Sequence, residues 1–105
     1  YKNTWEAEMF DEASGVGPNY NNPRSAIGST QGGYLIFFVC EGRNTAESIP
    51  GLTLHEVTNL LLEIGCSEAI NLDGGGSSCM LINGKETIKP SDGRQRPITS
   101  VVAVY

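Results

Sequence analysis

The chain has 105 residues and a formal net charge of −5. This length fits one domain or part of one, and the acidic balance argues against a nucleic-acid-binding surface. No apolar run in the sequence is long enough to cross a membrane.

The first 33 residues are predicted to be irregular. Glycine, proline and asparagine are concentrated in residues 15–23, as is typical of loops. Several acidic side chains near the start are expected to form a solvated face, namely Glu6, Glu8, Asp11 and Glu12. Regular structure is predicted to begin at Tyr34, where a continuous apolar run to Cys40 indicates a strand buried on both faces.

Residues 53–64 carry the clearest helix pattern. Thr53 and Glu56 match a capping box, and Gly65 stands where a glycine ends a helix. Apolar residues recur at helical spacing and predict a buried stripe of Leu54, Val57, Leu61 and Ile64. His55 lies off this stripe and is interpreted as a surface residue.

A second strand is predicted over residues 69–72, directly after the helix. Strand, helix and strand in succession favour a right-handed βαβ crossover with parallel neighbouring or nearly neighbouring strands. Residues 41–43 and 73–74 would then lie at the same end of the two strands. Ligand crevices of open α/β sheets lie at this end, so the two segments are joined here into one predicted site.

The rest of the chain is predicted to add a hairpin and one more strand. Asn83-Gly84 within residues 79–88 is typical of a type I′ turn, and residues 98–105 are interpreted as a final strand. The predicted fold class is therefore α+β, with a mixed sheet that contains a βαβ crossover plus a C-terminal hairpin and strand.

The cysteines are predicted to form no disulfide within the chain. Their number is odd, and Cys40, Cys66 and Cys79 show no C-x-x-C spacing. Cys40 and Cys66 are expected to be buried and apart. With a single histidine in the sequence, a zinc site has little support.

Residues 71–78 carry the strongest chemical signal. The carboxylate residue Asp73 is followed directly by three consecutive glycines and two serines. Glycines let other groups approach the backbone closely, and successive N–H groups can form an anion-binding concavity. The alternative to a functional site is that residues 71–78 form only a tight, solvent-exposed turn. Asp73, beside glycine and serine, could also bind a Ca²⁺ or Mg²⁺ ion, although no recognisable metal-binding loop requires it.

The order of the motifs closely resembles the C-terminal part of the phosphodiester glycosidase family. The motifs are Asn-Pro-Arg-Ser-Ala-Ile-Gly (22–28), Glu-Gly-Arg (41–43), Asn-Leu-Asp-Gly-Gly-Gly-Ser-Ser (71–78), Asn-Gly-Lys (83–85), Pro-Ser-Asp-Gly (90–93) and Arg-Pro (96–97). The resemblance covers about Asn22 to Tyr105. It implies a hydrolase that cleaves the glycosidic bond of a sugar-1-phosphodiester, of the N-acetylglucosamine-1-phosphate type, with a sugar phosphodiester or phosphoglycan as substrate.

Three departures from the family pattern stand out. An N-terminal Asn-Gly-Gly-Phe-Phe type motif is missing, so the chain is interpreted as a single domain or as the C-terminal portion of one, with an N-terminal segment of the same domain as its expected partner. The family commonly has Asp where Glu41 stands and often has Thr where Cys79 stands. The expected location is secreted, periplasmic or at the cell surface.

Chemistry and resemblance together predict the site residues. An anionic phosphodiester suits arginine and backbone N–H donors, and a carboxylate can stabilise or attack an oxocarbenium-like anomeric carbon. Asp73 is predicted as nucleophile or base, and Glu41 as its catalytic partner or a ligand of a substrate hydroxyl. Substrate contacts are predicted for Arg24, Arg43, Asn71, Gly74, Gly75, Ser77, Ser78 and Arg96.

Other interpretations remain open at this point. Arg24 and Arg43 could pair with surface acids, and Asn71 could cap a turn. A noncatalytic carbohydrate- or phosphate-binding module, or an incomplete fragment of the enzyme, is the alternative to a catalytic domain.

Overall fold

One α-helix and five strands make up the part of the chain that the structure, a computed structural model, describes: Gly15 and residues 17–105. The predicted acidic face near the start lies outside these residues. The elements in chain order are β1 (Arg24–Thr30), β2 (Leu35–Cys40), α1 (Leu54–Ile64), β3 (Cys66–Asn71), β4 (Leu81–Ile82) and β5 (Lys85–Glu86). A 3₁₀ turn covers Gly75–Ser77. The predicted α+β class is confirmed.

The main sheet has the strand order β2-β1-β3, and β1 is antiparallel to both neighbours. β2 and β3 therefore run parallel to each other, with α1 between them in the chain and β1 between them in the sheet. Their predicted relation as near neighbours is confirmed, although each adjacent pair in this sheet is antiparallel. Cys40 pairs with Arg24 and Asn71 pairs with Ala26, so β2 and β3 end at the same edge of the sheet.

The central strand β1 lies where the sequence predicted irregular structure. Its buried positions are occupied by Arg24, Ala26 and Gly28, and the positions between them are half-buried. A charged residue and two small ones give no apolar alternation. The pattern that normally reveals a half-buried strand is therefore absent from a strand that has two paired neighbours.

The helix begins and ends as predicted. The Thr53 hydroxyl accepts a hydrogen bond from the Glu56 N–H, the Glu56 carboxylate accepts one from the Thr53 N–H, and Gly65 closes the helix in the left-handed conformation. The buried cluster beneath the helix comprises Ala26, Val57, Leu61 and Cys66. Leu54 is also buried, whereas Ile64 of the predicted stripe is 51% exposed.

The sheet face opposite α1 stays open, which corrects the prediction that residues 34–40 are buried on both faces. Exposed and half-buried residues alternate along β2, with Leu35 59% and Phe37 37% exposed. Ile70 on β3 is exposed as well. Since α1 covers the other face of the sheet, residues from only one side contribute to the core.

The C-terminal quarter differs from the prediction in one respect. The hairpin of β4 and β5 is present, and positive φ at both Asn83 and Gly84 confirms the type I′ turn. Residues 98–105 form no strand. They have an apolar sequence but are exposed throughout, so that prediction was wrong for this structure: among the described residues no strand pairs with the segment.

Cys40, Cys66 and Cys79 are free thiols. Cys66 is buried as predicted, whereas Cys40 is only half-buried. Burial still raises the pKa of the Cys40 thiol, and its Sγ donates to the Asn22 carbonyl oxygen at 3.8 Å. His55 is exposed, as predicted.

The contrast between two adjacent leucines on α1 gives a stability prediction. Leu61→Ala should lower the free energy of unfolding by about 2–4 kcal/mol, because it leaves a cavity beneath the helix. Leu62 is 43% exposed, so Leu62→Ala is the matched control and should cost less than about 1 kcal/mol. Urea denaturation of both variants measures the difference; equal losses would contradict the packing described here.

Candidate functional site

The glycine-rich loop after β3 is hydrogen-bonded to the start of β1. The Leu72 N–H donates to the Ser25 carbonyl oxygen at 2.8 Å, and the Gly75 N–H donates to the Pro23 carbonyl oxygen at 3.0 Å. Gly75 has a φ of 61°, a conformation that favours glycine. The loop therefore has a fixed path across the edge of the sheet where β2 and β3 end.

Arg43 lies against the first side of this loop. A Cβ atom at Gly75 would lie 3.2 Å from Arg43 Nη1, so the guanidinium packs on the glycine backbone. Arg43 Nε donates to Asn22 Oδ1 at 2.8 Å, and Nη2 donates to the Gly15 carbonyl oxygen at 3.4 Å. Within the described residues Nη1 has no hydrogen-bond partner. The Arg43 side chain is exposed and oriented by Asn22, and it presents a donor beside the loop.

Arg96 lies against the second side of the loop, paired with Asp92. Arg96 Nη2 and Nε donate to Asp92 Oδ2 at 2.7 Å and 3.0 Å. A Cβ atom at Gly76 would lie 2.5 Å from Asp92 Oδ2 and would also overlap Arg96 Nη2. Only glycine leaves room for the ion pair at this position.

Arg24 is buried beneath the site rather than exposed to it. Its relative exposure is 1%, and its guanidinium donates to backbone carbonyl oxygens of Leu52 at 2.9 Å, Gly17 at 2.8 Å and Tyr20 at 2.6 Å. Burial lowers the pKa of Arg24, and repulsion from the nearby Arg43 charge lowers it further. These contacts indicate a structural cation, whereas its predicted substrate contact stays a prediction.

Asp73 lies at the start of the loop with an exposed side chain. Its Oδ1 accepts a hydrogen bond from the Gly74 N–H at 2.9 Å. Oδ2 has no hydrogen-bond partner within the described residues. The hydrogen bond from Gly74 thus fixes one carboxylate oxygen of Asp73 and leaves the other free. The glycine loop that follows packs against Arg43 and Arg96.

Glu41 makes its contacts away from the glycine loop. Its Oε1 accepts from Asn44 Nδ2 at 2.8 Å, and its Oε2 accepts from the Lys89 N–H at 3.1 Å. The bond from Asn44, and then the one from the Lys89 backbone, lower the pKa of the Glu41 carboxyl. Glu41 therefore connects the turn after β2 to the segment after β5. Its catalytic role stays a prediction.

The remaining predicted residues differ in exposure. Asn71 ends β3 and is exposed. The N–H groups of Ser77 and Ser78 donate to the Gly74 and Gly75 carbonyl oxygens at 3.3 Å and 3.1 Å. Ser78 is 1% exposed, and its hydroxyl oxygen has no hydrogen-bond partner among Gly15 and residues 17–105. The backbone donors of these serines are used within the loop, and the predicted substrate contacts of the two residues stay predictions.

A cleft of about 390 Å³ opens beside the loop, and sequence reasoning missed it. Residues 43–46 form one wall, and residues 86–93 supply the other. Arg43 is shared between the cleft and the loop. Glu41 and Asp73 do not line the cleft, and no local pattern around Lys89 or Ser91 indicates that these residues face the turn after β2.

Two further features were sought in the described part of the chain: a cluster of metal-ligating side chains and a membrane-spanning helix. Within Gly15 and residues 17–105, no group of three His, Cys, Asp or Glu side chains is placed to hold a metal ion. None of the helices in the same residues has the length and apolar character needed to cross a bilayer.

Comparison with known proteins places these features in a family. A family model for phosphodiester glycosidases matches residues 6–105. The chain belongs to the phosphodiester glycosidase family. The resemblance drawn from the motifs is thereby confirmed.

Two curated relatives align with most of the chain. The N-acetylglucosamine-1-phosphodiester alpha-N-acetylglucosaminidase of Homo sapiens is 33% identical over 100% of this chain. An uncharacterized SPbeta prophage-derived protein of Bacillus subtilis is 36% identical over 82% of it. The chain spans 22% of the length of the human enzyme and 13% of that of the bacterial protein.

Two solved structures share the fold. The zebrafish enzyme of the same name as the human one, solved as a catalytic domain auto-inhibited by its pro-peptide, superposes with a TM-score of 0.63 at 34% identity, over 70% of this chain and 23% of that one. A protein of Burkholderia pseudomallei named "putative exported protein" gives a TM-score of 0.64 at 35% identity, over 69% of this chain and 14% of that one.

The Glu41 bonds predict a pH-dependent contribution to stability. Since hydrogen bonds lower the folded-state pKa, the charged form stabilises the fold above the ordinary glutamate pKa and ceases to do so as pH falls through the lowered value. Glu41→Gln should therefore lower stability at pH 7, and the gap to the natural protein should shrink between about pH 5 and about pH 3.

Thermal unfolding across this pH range measures the effect. Glu63→Gln is the control, because Glu63 is exposed on α1 and has no hydrogen bond among the described residues; it should change stability little at any pH. A Glu41→Gln gap that stays constant down to pH 3 would contradict the assignment.

Proposed function

We propose that the protein hydrolyses the glycosidic bond of a sugar-1-phosphodiester and releases the free sugar. The observation that supports this most is the placement of the Asp73 carboxylate at the start of a glycine loop that packs against Arg43 on one side and Arg96 on the other. The free carboxylate oxygen suits the anomeric carbon of such a substrate, and the cationic donors at the same sheet edge suit its phosphate. Family membership supports the same reaction class.

The phosphate would bind at Arg43. Guanidinium groups suit phosphate because they offer several donors in one plane, and Arg43 Nη1 is the donor that its contacts to Asn22 and Gly15 leave available. A phosphate ester is a weakly basic leaving group, so its departure needs less protonation than that of a sugar alcohol. Arginine contacts could therefore assist bond cleavage without a separate general acid.

Asp73 would act on the anomeric carbon. As the glycosidic bond breaks, positive charge develops on the sugar ring, and an adjacent carboxylate stabilises or attacks it. The bond from the Gly74 N–H fixes Oδ1, which leaves Oδ2 for the substrate or for an attacking water molecule. Asn71, Ser77 and Ser78 would shape the surroundings of this group.

The finer identity of the substrate comes from relatives alone. Two aligned enzymes are named for cleavage of N-acetylglucosamine-1-phosphodiesters, which makes N-acetylglucosamine the sugar to test first. A neighbouring structure is named "putative exported protein", which supports a secreted, periplasmic or cell-surface location. The open apolar face of the sheet is consistent with an N-terminal segment of the same domain as its partner.

The catalytic assignment predicts the effect of one conservative change. Asp73→Asn keeps size and hydrogen bonding but removes the charge, so turnover of an N-acetylglucosamine-1-phosphodiester should fall at least about a hundredfold while the melting temperature stays nearly unchanged. Release of free sugar by the full-length protein is the measurement, and Glu68→Gln on β3 is the control. Near-normal turnover in Asp73→Asn would favour a noncatalytic binding module.

Substitution of the two neighbouring arginines, Arg43 and Arg24, by lysine should have different effects. Arg43→Lys keeps the charge but loses the planar fork, so the affinity for a phosphate ester should fall about tenfold with little loss of stability. Arg24→Lys removes buried bonds to backbone carbonyls and should instead lower the unfolding free energy by about 2 kcal/mol or more.

Calorimetric titration with methyl phosphate and urea denaturation separate the two effects. Loss of affinity in Arg24→Lys without loss of stability would contradict its structural role. It would return Arg24 to the substrate contacts predicted from sequence.

A further inference from the structure

Arg43 is held in an uncommon backbone conformation. Its φ is 53°, which lies in the left-handed region that residues other than glycine rarely adopt. Such a conformation persists where the surrounding structure fixes it, and it is concentrated at functional sites. The Arg43 N–H donates to the Pro50 carbonyl oxygen at 3.1 Å, and the Asn44 N–H donates to the Ile49 carbonyl oxygen at 3.0 Å. Backbone hydrogen bonds therefore close the loop of residues 43–50.

Both ends of this loop pack on the backbone of Asn22. A Cβ atom at Gly42 would lie 2.8 Å from the Asn22 carbonyl carbon, and one at Gly51 would overlap the Asn22 carbonyl oxygen. Asn22 and Leu52 also exchange backbone hydrogen bonds at 3.1 Å and 3.0 Å. This close packing leaves the loop no room to shift relative to Asn22, so the position of Arg43 follows that of Asn22.

The Asn22 side chain suits its place because an amide offers both an acceptor and donors. Its Oδ1 accepts from Arg43 Nε at 2.8 Å, while its Nδ2 donates to the carbonyl oxygens of Gly15 at 3.2 Å and Tyr20 at 3.3 Å. Asn22 is 1% exposed, so water does not compete for these bonds. A carboxylate here would face two carbonyl oxygens, and an apolar side chain would leave Arg43 Nε without its partner.

The Asn22 amide is also neutral, which distinguishes Arg43 from the other arginine that packs on the glycine loop. Asp92 compensates the charge of Arg96, whereas the Arg43 side chain donates to an amide and a carbonyl oxygen among the described residues. Asn22 thus fixes the guanidinium without cancelling its charge. A guanidinium that is already fixed loses less conformational freedom on binding an anion, which raises the affinity.

We propose that Asn22 is the positioning residue for anion binding at Arg43: it fixes the guanidinium before the substrate arrives and leaves its charge and Nη1 available. This proposal rests on the proposed function, because it takes Arg43 as the ligand of the phosphate. Asn22 is buried and acts only through Arg43, which separates it from the residues that would touch the substrate.

A double-mutant cycle on the full-length protein tests the proposal, with methyl phosphate as the ligand in calorimetric titration. Asn22→Ala should lower the affinity about fivefold, because the Arg43 side chain must then be ordered on binding. Arg43→Lys places a methylene group where arginine has Nε, so in that background Asn22→Ala should change the affinity less than about twofold. Equal changes in the two backgrounds, including no change in either, would overturn the proposal.

Asn21→Ala is the matched control, because it makes the same substitution one residue earlier. Asn21 is exposed, and its Nδ2 donates to the Gly51 carbonyl oxygen at 2.9 Å. The variant therefore loses a bond to the end of the same loop but keeps the bond to Arg43 Nε, and its affinity for methyl phosphate should match that of the natural protein. A loss as large as that of Asn22→Ala would assign the effect to loop stability and contradict the positioning role.

Side-chain NMR of the natural protein decides the question if Asn22→Ala does not fold. The Arg43 Nε–H signal is identified by its loss in Arg43→Lys. Without phosphate, this proton should exchange with water at least about tenfold more slowly than the Nε–H of Arg94. Arg94 is exposed and has no side-chain hydrogen bond among the described residues. Equal exchange rates would show that Asn22 does not fix the guanidinium and would overturn the proposal.

Sugar release separates this proposal from the proposed function. If the protein releases sugar from a sugar-1-phosphodiester but the cycle shows no coupling between Asn22 and Arg43, the positioning role is wrong and the reaction stands. If the coupling is present but no sugar is released, the reaction is wrong and the two residues are confirmed as an anion-binding pair.

Discussion

The site depends on one short segment, Asn22–Ser25, whose backbone and side chains hold its surroundings in place. The Asn22 backbone exchanges hydrogen bonds with Leu52, at the connector that leads into α1. The Pro23 and Ser25 carbonyl oxygens accept from the glycine loop, and the buried Asn22 side chain orients Arg43. Buried polar groups are costly when unpaired, so any movement of this segment would disturb the loop, the connector and Arg43 together.

That dependence explains why sequence reasoning succeeded in some places and failed in others. The helix was predictable because capping and periodicity are local signals, and its position between two parallel strands followed from chain order. β1 was not predictable, because its inward positions hold Arg24 and small residues instead of an apolar series. The buried side of β1 consists of the hydrogen-bonded Arg24, Ala26 and Gly28, and Gly28 packs closely against Cys66. These residues give no hydrophobic pattern that a sequence reading could detect.

The same distinction applies to the site. Asp73 and the glycines stood out because three consecutive glycines are a local anomaly, and the pairing of strands brought Arg43 to them as expected. The contacts of Glu41 with Lys89, and of Arg96 with the glycine loop, join residues that are 48 and 20 positions apart. These contacts arise from how the segment after β5 folds back, which no sequence pattern specifies.

The distribution of charge around the glycine loop determines which kind of ligand it can attract. In a chain with a net charge of −5, Arg24 and Arg43 lie close enough to repel each other, and Arg96 touches the same loop. Carbonyl oxygens accept hydrogen bonds from the buried Arg24 guanidinium, and Asp92 pairs with Arg96. Arg43 is exposed with a donor to spare and, unlike Arg96, has no carboxylate partner within the described residues; the exposed carboxylate of Asp73 lies in the same loop region. A neutral sugar would gain little from Arg43, whereas an anionic group attached at the anomeric carbon would place its charge there and its reacting carbon toward the carboxylate. Under the proposed function, this distribution of charge would favour a phosphodiester over an ordinary glycoside.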